Sequence, residues 1–180
     1  MIRGENYDPS DETLSQMRAN ARRITAKYNV TNCDQTVERN ELLTQLFGRT
    51  FTGIKIEPSF NCDYGKNIKV GENFYVNYGC VILDCAEINI GDNCMIGPQV
   101  GIYTACHPLD PLDRNSGVEF AKPITIGDNC WVGGHSTINP GVTLGDNVVV
   151  ASGSVVTKSF PNNVVIGGNP TKTLKLIGET

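Results

Sequence analysis

The chain has 180 residues, with 15 Lys and Arg against 19 Asp and Glu and a formal net charge of -4. That length suits one full core with at most a small appendage, and the acidic balance excludes a broad basic footprint for nucleic acid or an anionic membrane. No run approaches the roughly 20 apolar residues a membrane span needs, and the polar start MIRGENYDPSDE lacks a secretory core, so a cytoplasmic protein is expected.

The first segment, up to about residue 52, mixes charged residues with Leu, Met, Ile and Phe. SDETLSQMRANARRITAKYN and DQTVERNELLTQLFG read as two helices, the first starting at Ser10 or Asp11. They predict a helical cap over residues 1–52 on a second unit, residues 53–180.

From Val70 onward, aliphatic residues recur every six positions. They run Val70, Val76 and Ile82; then, after two extra residues, Ile90, Ile96 and Ile102; then Ile126, Val132, Ile138, Leu144, Val150 and Val156. Neither a helix nor a simple amphipathic strand has that period. Gly, Asn or Ala commonly follows, as in IGDN at 90 and 126 and LGDN at 144, and these residues suit corners that need unusual backbone angles. The pattern predicts a mainly β fold, a parallel β-helix of hexapeptide repeats in which three units make one triangular coil.

Four places after each aliphatic residue stands a small or medium-sized one. Cys80, Cys94, Cys106 and Cys130 occupy that slot, which predicts four buried thiols with structural roles. The seven cysteines form no CxxC pair and are odd in number, so neither a disulfide framework nor a metal site is expected.

Between Ile102 and Ile126 lie four units of six, so the polar segment 108–123 inserts without breaking phase. It reads as an excursion from one corner, and polar loops of that length usually carry function. His107, in ACHPLD, stands at its base, where a rigid coil can hold an imidazole beside a covering loop. Two roles fit it: a hydrogen-bonded corner residue, or a general base taking a proton from a hydroxyl near neutral pH. His135, in GGHST, sits at a turn of an unbroken unit and suits exposure or a ligand edge. After the last repeat, GGNPTKTLKLIGET predicts a packed terminal strand or helix.

The stretches NFYVNYGCVILD, IGDNCMIGPQVGIYTACHPLD, RNSGVEFAKPITIGDNCWVGGHSTINPGVTLGDN, VVVASGSVVTK and IGGNP, with SDETLSQMRANA at the start, cover nearly the whole chain. Together they resemble the sugar O-acetyltransferases of the hexapeptide-repeat superfamily, maltose O-acetyltransferase foremost. The resemblance implies a left-handed parallel β-helix, acetyl-CoA as co-substrate with no metal, and a homotrimer with sites between subunits. His107 matches the family's general base and Asn77 the asparagine that places the acceptor hydroxyl. The two fall on different sides of the prism, so neighbouring subunits are expected to bring them together.

On the acceptor side the resemblance points to Asp84, Tyr75 and Asp11. Each has a plain alternative: corner residues for the first two, a helix cap for the third. The position after Asp84 is Cys85, which leaves the match to the family's acidic contact open by one residue. On the donor side, Trp131 matches an aromatic bordering the CoA arm, and the Gly134 N–H would face the tetrahedral oxyanion. Ser152, Thr157, Lys158 and Lys172 match positions that follow pantetheine and nucleotide, the lysines as point charges for phosphates.

The expectation is an acetyl-CoA-dependent O-acetyltransferase acting directly on a mono- or disaccharide hydroxyl. Acetylation of a xenobiotic or other small hydroxyl compound is the alternative within enzymes. A non-catalytic trimeric binding or scaffold protein is the alternative outside them.

Overall fold

The computed structural model describes residues 1–48 and 53–178, so the expected boundary at residue 52 lies outside the described residues. Two helices precede a triangular prism. α1 spans Glu12–Asn29 and α2 spans Thr36–Leu46. In α1 the Asp11 carboxylate accepts the Leu14 N–H, with Glu12 in the first turn and Lys27 in the last, all favourable at those ends. Ala21, Ile24, Thr25 and Tyr28 in α1, and Arg39, Leu42, Leu43 and Leu46 in α2, are buried at i, i+3, i+4, i+7 spacing.

The prism has three faces of short parallel strands. The first face stacks Ile68–Val70, Ile88–Ile90, Ile124–Ile126 and Thr143–Leu144. The second stacks Lys55–Ile56, Tyr75–Val76, Met95–Ile96, Trp131–Val132, Val149–Val150 and Val164–Gly167. The third stacks Asn61–Cys62, Val81–Leu83, Gly101–Tyr103, Thr137–Ile138 and Val155–Val156. Repetition therefore begins one coil before Val70, at Ile56 and Cys62. Glu57 and Ser59 stand where the next coil has Asn77 and Gly79, and their lack of the Gly and Asn signals hides the period.

All twelve aliphatic residues of the period-six series are buried in one continuous core. Amides bond from coil to coil: Lys55 to Phe74, Tyr75 to Cys94, Met95 to Cys130 and Trp131 to Val148. The GDN motif has a matching cause. Asn73, Asn93, Asn129 and Asn147 adopt φ of 55–57°, where Asn is among the few side chains that sit readily. The Asp before Asn93, Asn129 and Asn147 accepts an amide from the preceding coil, Glu72 N–H donating to Asp92, Asp92 N–H to Asp128 and Asp128 N–H to Asp146.

The cap is fastened to the first coil by polar contacts. The Tyr28 hydroxyl donates to the Ile56 carbonyl, and Asn29 exchanges two bonds with the Phe60 backbone. The buried Arg39 guanidinium donates to Tyr28 and Ile56 and lies 3.8 Å from Glu57. At the other end the tail forms Lys172–Leu176, a strand antiparallel to Val164–Gly167. No helix among the described residues is long and apolar enough to cross a membrane.

Candidate active site

Every coil turns from the third face to the first through a corner, and in the middle of the prism that corner opens. Thr104, fully buried, takes the interior place; its hydroxyl donates to the Leu83 carbonyl and accepts the Ala86 N–H. The chain then leaves as Ala105–Cys106, which pairs antiparallel with the returning Phe120–Ala121. Cys106 is consequently half-exposed, a correction to the buried slot expected for it; Cys80, Cys94 and Cys130 are buried as expected. Between the two strands lies α3, Pro111–Asn115, capped by Asp110. The coil resumes in phase, with Ile124–Ile126 directly on Ile88–Ile90.

His107 stands where this hairpin leaves the prism, its side chain 55% exposed. The Glu119 carboxylate faces it from the returning segment, Oε1 lying 4.0 Å from His107 Nε2. Glu119 in turn accepts a 2.8 Å hydrogen bond from the Tyr7 hydroxyl at Oε2. Tyr7 belongs to an N-terminal arm that crosses the excursion and exchanges both backbone bonds with Glu119. Beneath them the Cys85 thiol donates to Asp63, and Arg18 of α1 donates to the Tyr64 hydroxyl and the Pro9 carbonyl.

Three of these groups, Cys85, Tyr7 and Asp63, are drawn away from their ordinary titration by enclosure. Burial pushes the Cys85 thiol up to about 12 and raises the Tyr7 phenol. The Asp63 carboxyl is also raised by burial, against the pull of Cys85 and of Arg18 and Arg22. Two carboxyls, a phenol, a thiol and an imidazole thus cluster at the base of the excursion. Such a cluster offers hydrogen bonds to a polyhydroxyl compound.

Two of the acceptor residues expected from the sequence occupy structural places. Asp84 is fully buried, and its carboxylate is consumed by the backbone N–H groups of Asp63, Tyr64 and Asn67. Burial raises its carboxyl to about 7 even against those donors. It shapes the corner and offers no atom to a ligand, which corrects the acceptor role. Asp11 uses its carboxylate as the cap of α1. Tyr75 lies half-buried on the outer side of the second face, with Lys55 Nζ 5.8 Å from its ring centre. Neither joins the cluster beside His107.

The remaining residues divide between two edges of the prism. Asn77, Gly134 and Ser152 lie in turns from the second face to the third, the turn at Gly97 separating the first two, and His135 sits in the turn of Gly134, at φ 57°. The Asn77 side-chain oxygen accepts the Tyr78 N–H. Two coils on from Asn77, Gly133 donates to Val150 and His135 to Pro98, while the Gly134 N–H between them makes no bond to a backbone carbonyl. A Cβ at Gly97 would come within 2.5 Å of that nitrogen, so glycine there keeps the amide accessible. Trp131 is half-exposed beside this edge, on the second face.

Thr157 and Lys158 lie on the other edge, the corner of His107, two coils further along; both are exposed, and Lys158 Nζ lies 5.5 Å from the Phe160 ring centre. Lys172 is exposed on the terminal strand. Within one chain the third face separates Asn77 from His107, a distance on the order of 15–20 Å for six extended residues.

Tyr7, Arg18, Asp63, Cys85 and Glu119 escaped the sequence reading as site residues. Asp63 and Cys85 hold corner positions one and two places after a third-face strand, and that phase would have flagged them. Tyr7 and Glu119 carry no such signal, because their meeting across 112 positions is a tertiary event.

Comparison with known proteins agrees with this architecture. The maltose acetyltransferase hexapeptide capping motif matches residues 1–50, and the hexapeptide repeat of succinyl-transferase matches residues 123–158. A Dictyostelium discoideum protein provisionally named an acetyltransferase is 55% identical, the alignment covering 98% of this chain and 92% of that protein. The crystal structure of a maltose O-acetyltransferase from Clostridium difficile superimposes with TM-score 0.96 at 48% identity, over 99% of this chain and 95% of that one. A galactoside acetyltransferase in complex with coenzyme A gives 0.95 at 36% identity, over 98% and 89%. A hexapeptide-repeat acetyltransferase from Vibrio cholerae with acetyl coenzyme A bound gives 0.93 at 36%, over 99% and 97%. With this likeness running along the whole chain, cap and prism together, the protein is an acetyltransferase and belongs to the maltose O-acetyltransferase family of left-handed β-helix, hexapeptide-repeat acyltransferases.

Proposed function

We propose that the protein transfers an acetyl group from acetyl-CoA to a hydroxyl of a mono- or disaccharide, in clefts between the subunits of a homotrimer. The observation that carries this reading is the division of the site residues between two edges of one face. One edge presents His107 with Lys158; the other presents Asn77, Gly134 and Ser152, with Trp131 beside it. A neighbouring subunit that lays its second edge along the first completes a site that neither edge makes alone.

The outer side of the second face supports an association of this kind. Tyr75, Met95, Trp131, Val149 and Val165 stand in register there as a continuous, largely apolar column. Met95 and Trp131 are each 50% exposed in the single chain, and Leu109 and Leu112 on the excursion are exposed as well.

In such a cleft His107 takes the proton of the acceptor hydroxyl as its oxygen attacks the thioester carbonyl, and Asn77 orients that hydroxyl. The Gly134 N–H stabilises the tetrahedral oxyanion. Collapse of the intermediate breaks the carbon–sulfur bond, and the departing thiolate recovers the proton from His107. Trp131, Ser152 and Thr157 line the CoA arm, while Lys158 and Lys172 supply positive charge to its phosphates. The carboxyls of Asp63 and Glu119, clustered near His107, favour a polyhydroxyl acceptor over an apolar xenobiotic.

Release of free thiol from acetyl-CoA, measured across a sugar panel for wild type and His107→Ala, tests the proposal. Wild type is expected to turn over with at least one sugar, and the variant to lose about 10²- to 10⁴-fold in kcat with an unchanged melting temperature. Equal turnover by the two would remove His107 as the base. Failure with every sugar would remove the acceptor class.

A further inference from the structure

We propose that Tyr7 is a positioning residue for the base: its hydroxyl holds the Glu119 carboxylate away from His107, so that the imidazole nitrogen stays free for an acceptor hydroxyl. This rests on the reading of His107 as the general base.

The argument starts from the spacing. Glu119 Oε1 lies 4.0 Å from His107 Nε2, near enough to pair if the carboxylate turned, and too far for a hydrogen bond as it stands. The other carboxylate oxygen explains why it does not turn, because Oε2 is held by the Tyr7 hydroxyl at 2.8 Å. A Glu side chain has three rotatable bonds, and nothing in the backbone alone stops the carboxyl group from swinging onto the exposed imidazole. Were it to do so, Nε2 would be occupied by a carboxylate, and the base would be both blocked and held in its protonated form.

The arm that carries Tyr7 is built to keep the phenol in place. Tyr7 and Glu119 exchange two backbone hydrogen bonds, so the donor and the carboxylate it restrains share one β-bridge. Arg18 ties the next turn of the arm down through the Pro9 carbonyl. Burial keeps the phenol protonated, hence a constant donor. The charged and titratable groups facing this contact from the surrounding elements are Asp63 and Cys85 of the earlier coils, Arg18 and Arg22 of α1, and Lys122 after the returning strand. Of these only Cys85 also meets the Tyr7 hydroxyl, and burial, the larger influence on its thiol, remains when that hydroxyl is removed.

The imidazole can be followed directly, without substrate, by NMR titration of its ring resonances. The chain has only two histidines, so His135 serves as an internal reference. In Tyr7→Phe the freed carboxylate is expected to pair with His107 and raise its titration midpoint by about one unit or more, as an opposite charge at contact distance does. The midpoint of His135 stays put. In Tyr7→Phe combined with Glu119→Gln, the neutral amide gives no such pairing, and the midpoint falls back towards that of Glu119→Gln alone.

In turnover, Tyr7→Phe is expected to lower kcat about threefold or more at neutral pH, following the fraction of imidazole protonated after a one-unit rise. Its KM for acetyl-CoA should be unchanged, and raising the pH should restore much of the loss. An unmoved His107 midpoint in folded Tyr7→Phe overturns the proposal, and so does a shift that persists fully in the double variant. If the midpoint shifts as expected and wild type acetylates no sugar, the latch stands and the acceptor assignment is what falls.

Discussion

The interior column of the prism and the cluster at the excursion are made from the same coils by opposite rules. In the column each residue repeats the role of the one six places earlier, contacts are with the coils above and below, and the side chains are apolar. The cluster draws on the arm, α1, two corners and the returning strand, and nearly every group in it is polar. The column can spread a loss over many equivalent neighbours, whereas in the cluster each polar group answers to one partner. Stability therefore concentrates in the repeating part and chemical precision in the part that repeats nothing.

Breaking the column tests this most severely. Ile126→Ala removes a buried side chain from the middle coil, 1% exposed, and should cost about 2–5 kcal/mol in unfolding free energy measured by denaturant titration. Its kcat per folded molecule should change little. A large loss of kcat in the folded variant would mean that the column also sets the site's geometry.

Asp84 probes the seam between the two regions, since it is a corner residue that braces the cluster. Burial raises its carboxyl from 3.8 to about 7, so the extra stability of the protonated form is fully present below pH 4 and is lost as pH rises through about 7. Asp84→Asn cannot ionise, and its amide has one oxygen for the three backbone donors of Asp63, Tyr64 and Asn67. The variant should be less stable than wild type by about 1–3 kcal/mol at pH 5, with a smaller deficit at pH 8. Thermal unfolding at the two pH values reads the difference, and a deficit that widens with pH would reverse the assignment.

The smallest effect on stability is expected at Lys158. It is exposed, and Lys158→Ala should shift unfolding by no more than about 0.5 kcal/mol. If the lysine meets a CoA phosphate, KM for acetyl-CoA should rise several-fold, and the increase should shrink as salt is added. An unchanged KM at low ionic strength would leave Lys158 a solvated surface charge.

The fold was largely legible in the chain because a six-residue period leaves one residue type at each slot. Ile90, Ile126 and Leu144 announce the first face, and the Asn of GDN announces the corner with positive φ. The first coil was missed because Ile56 and Cys62 lack those corner residues. Cys106 was misplaced because the period continues on paper two residues beyond the point where Thr104 turns the chain out of the column. His107 stands at the break where the sequence put it, and of the two readings open for Asp84, ligand contact or corner residue, the corner backbone takes its carboxylate.

What the amino-acid order determined unaided is the prism, its helical cap and the site of the interruption. Each follows from local spacing, which acts between neighbouring coils and needs no distant partner. What the tertiary structure alone decided is the company His107 keeps. Tyr7 reaches Glu119 across 112 positions, and Asp63 meets Cys85 across 22, because stacking and a crossing arm bring together segments that share no period. A repeat encodes the contacts it makes with itself, and contacts between unlike segments are settled only when the chain has folded around them.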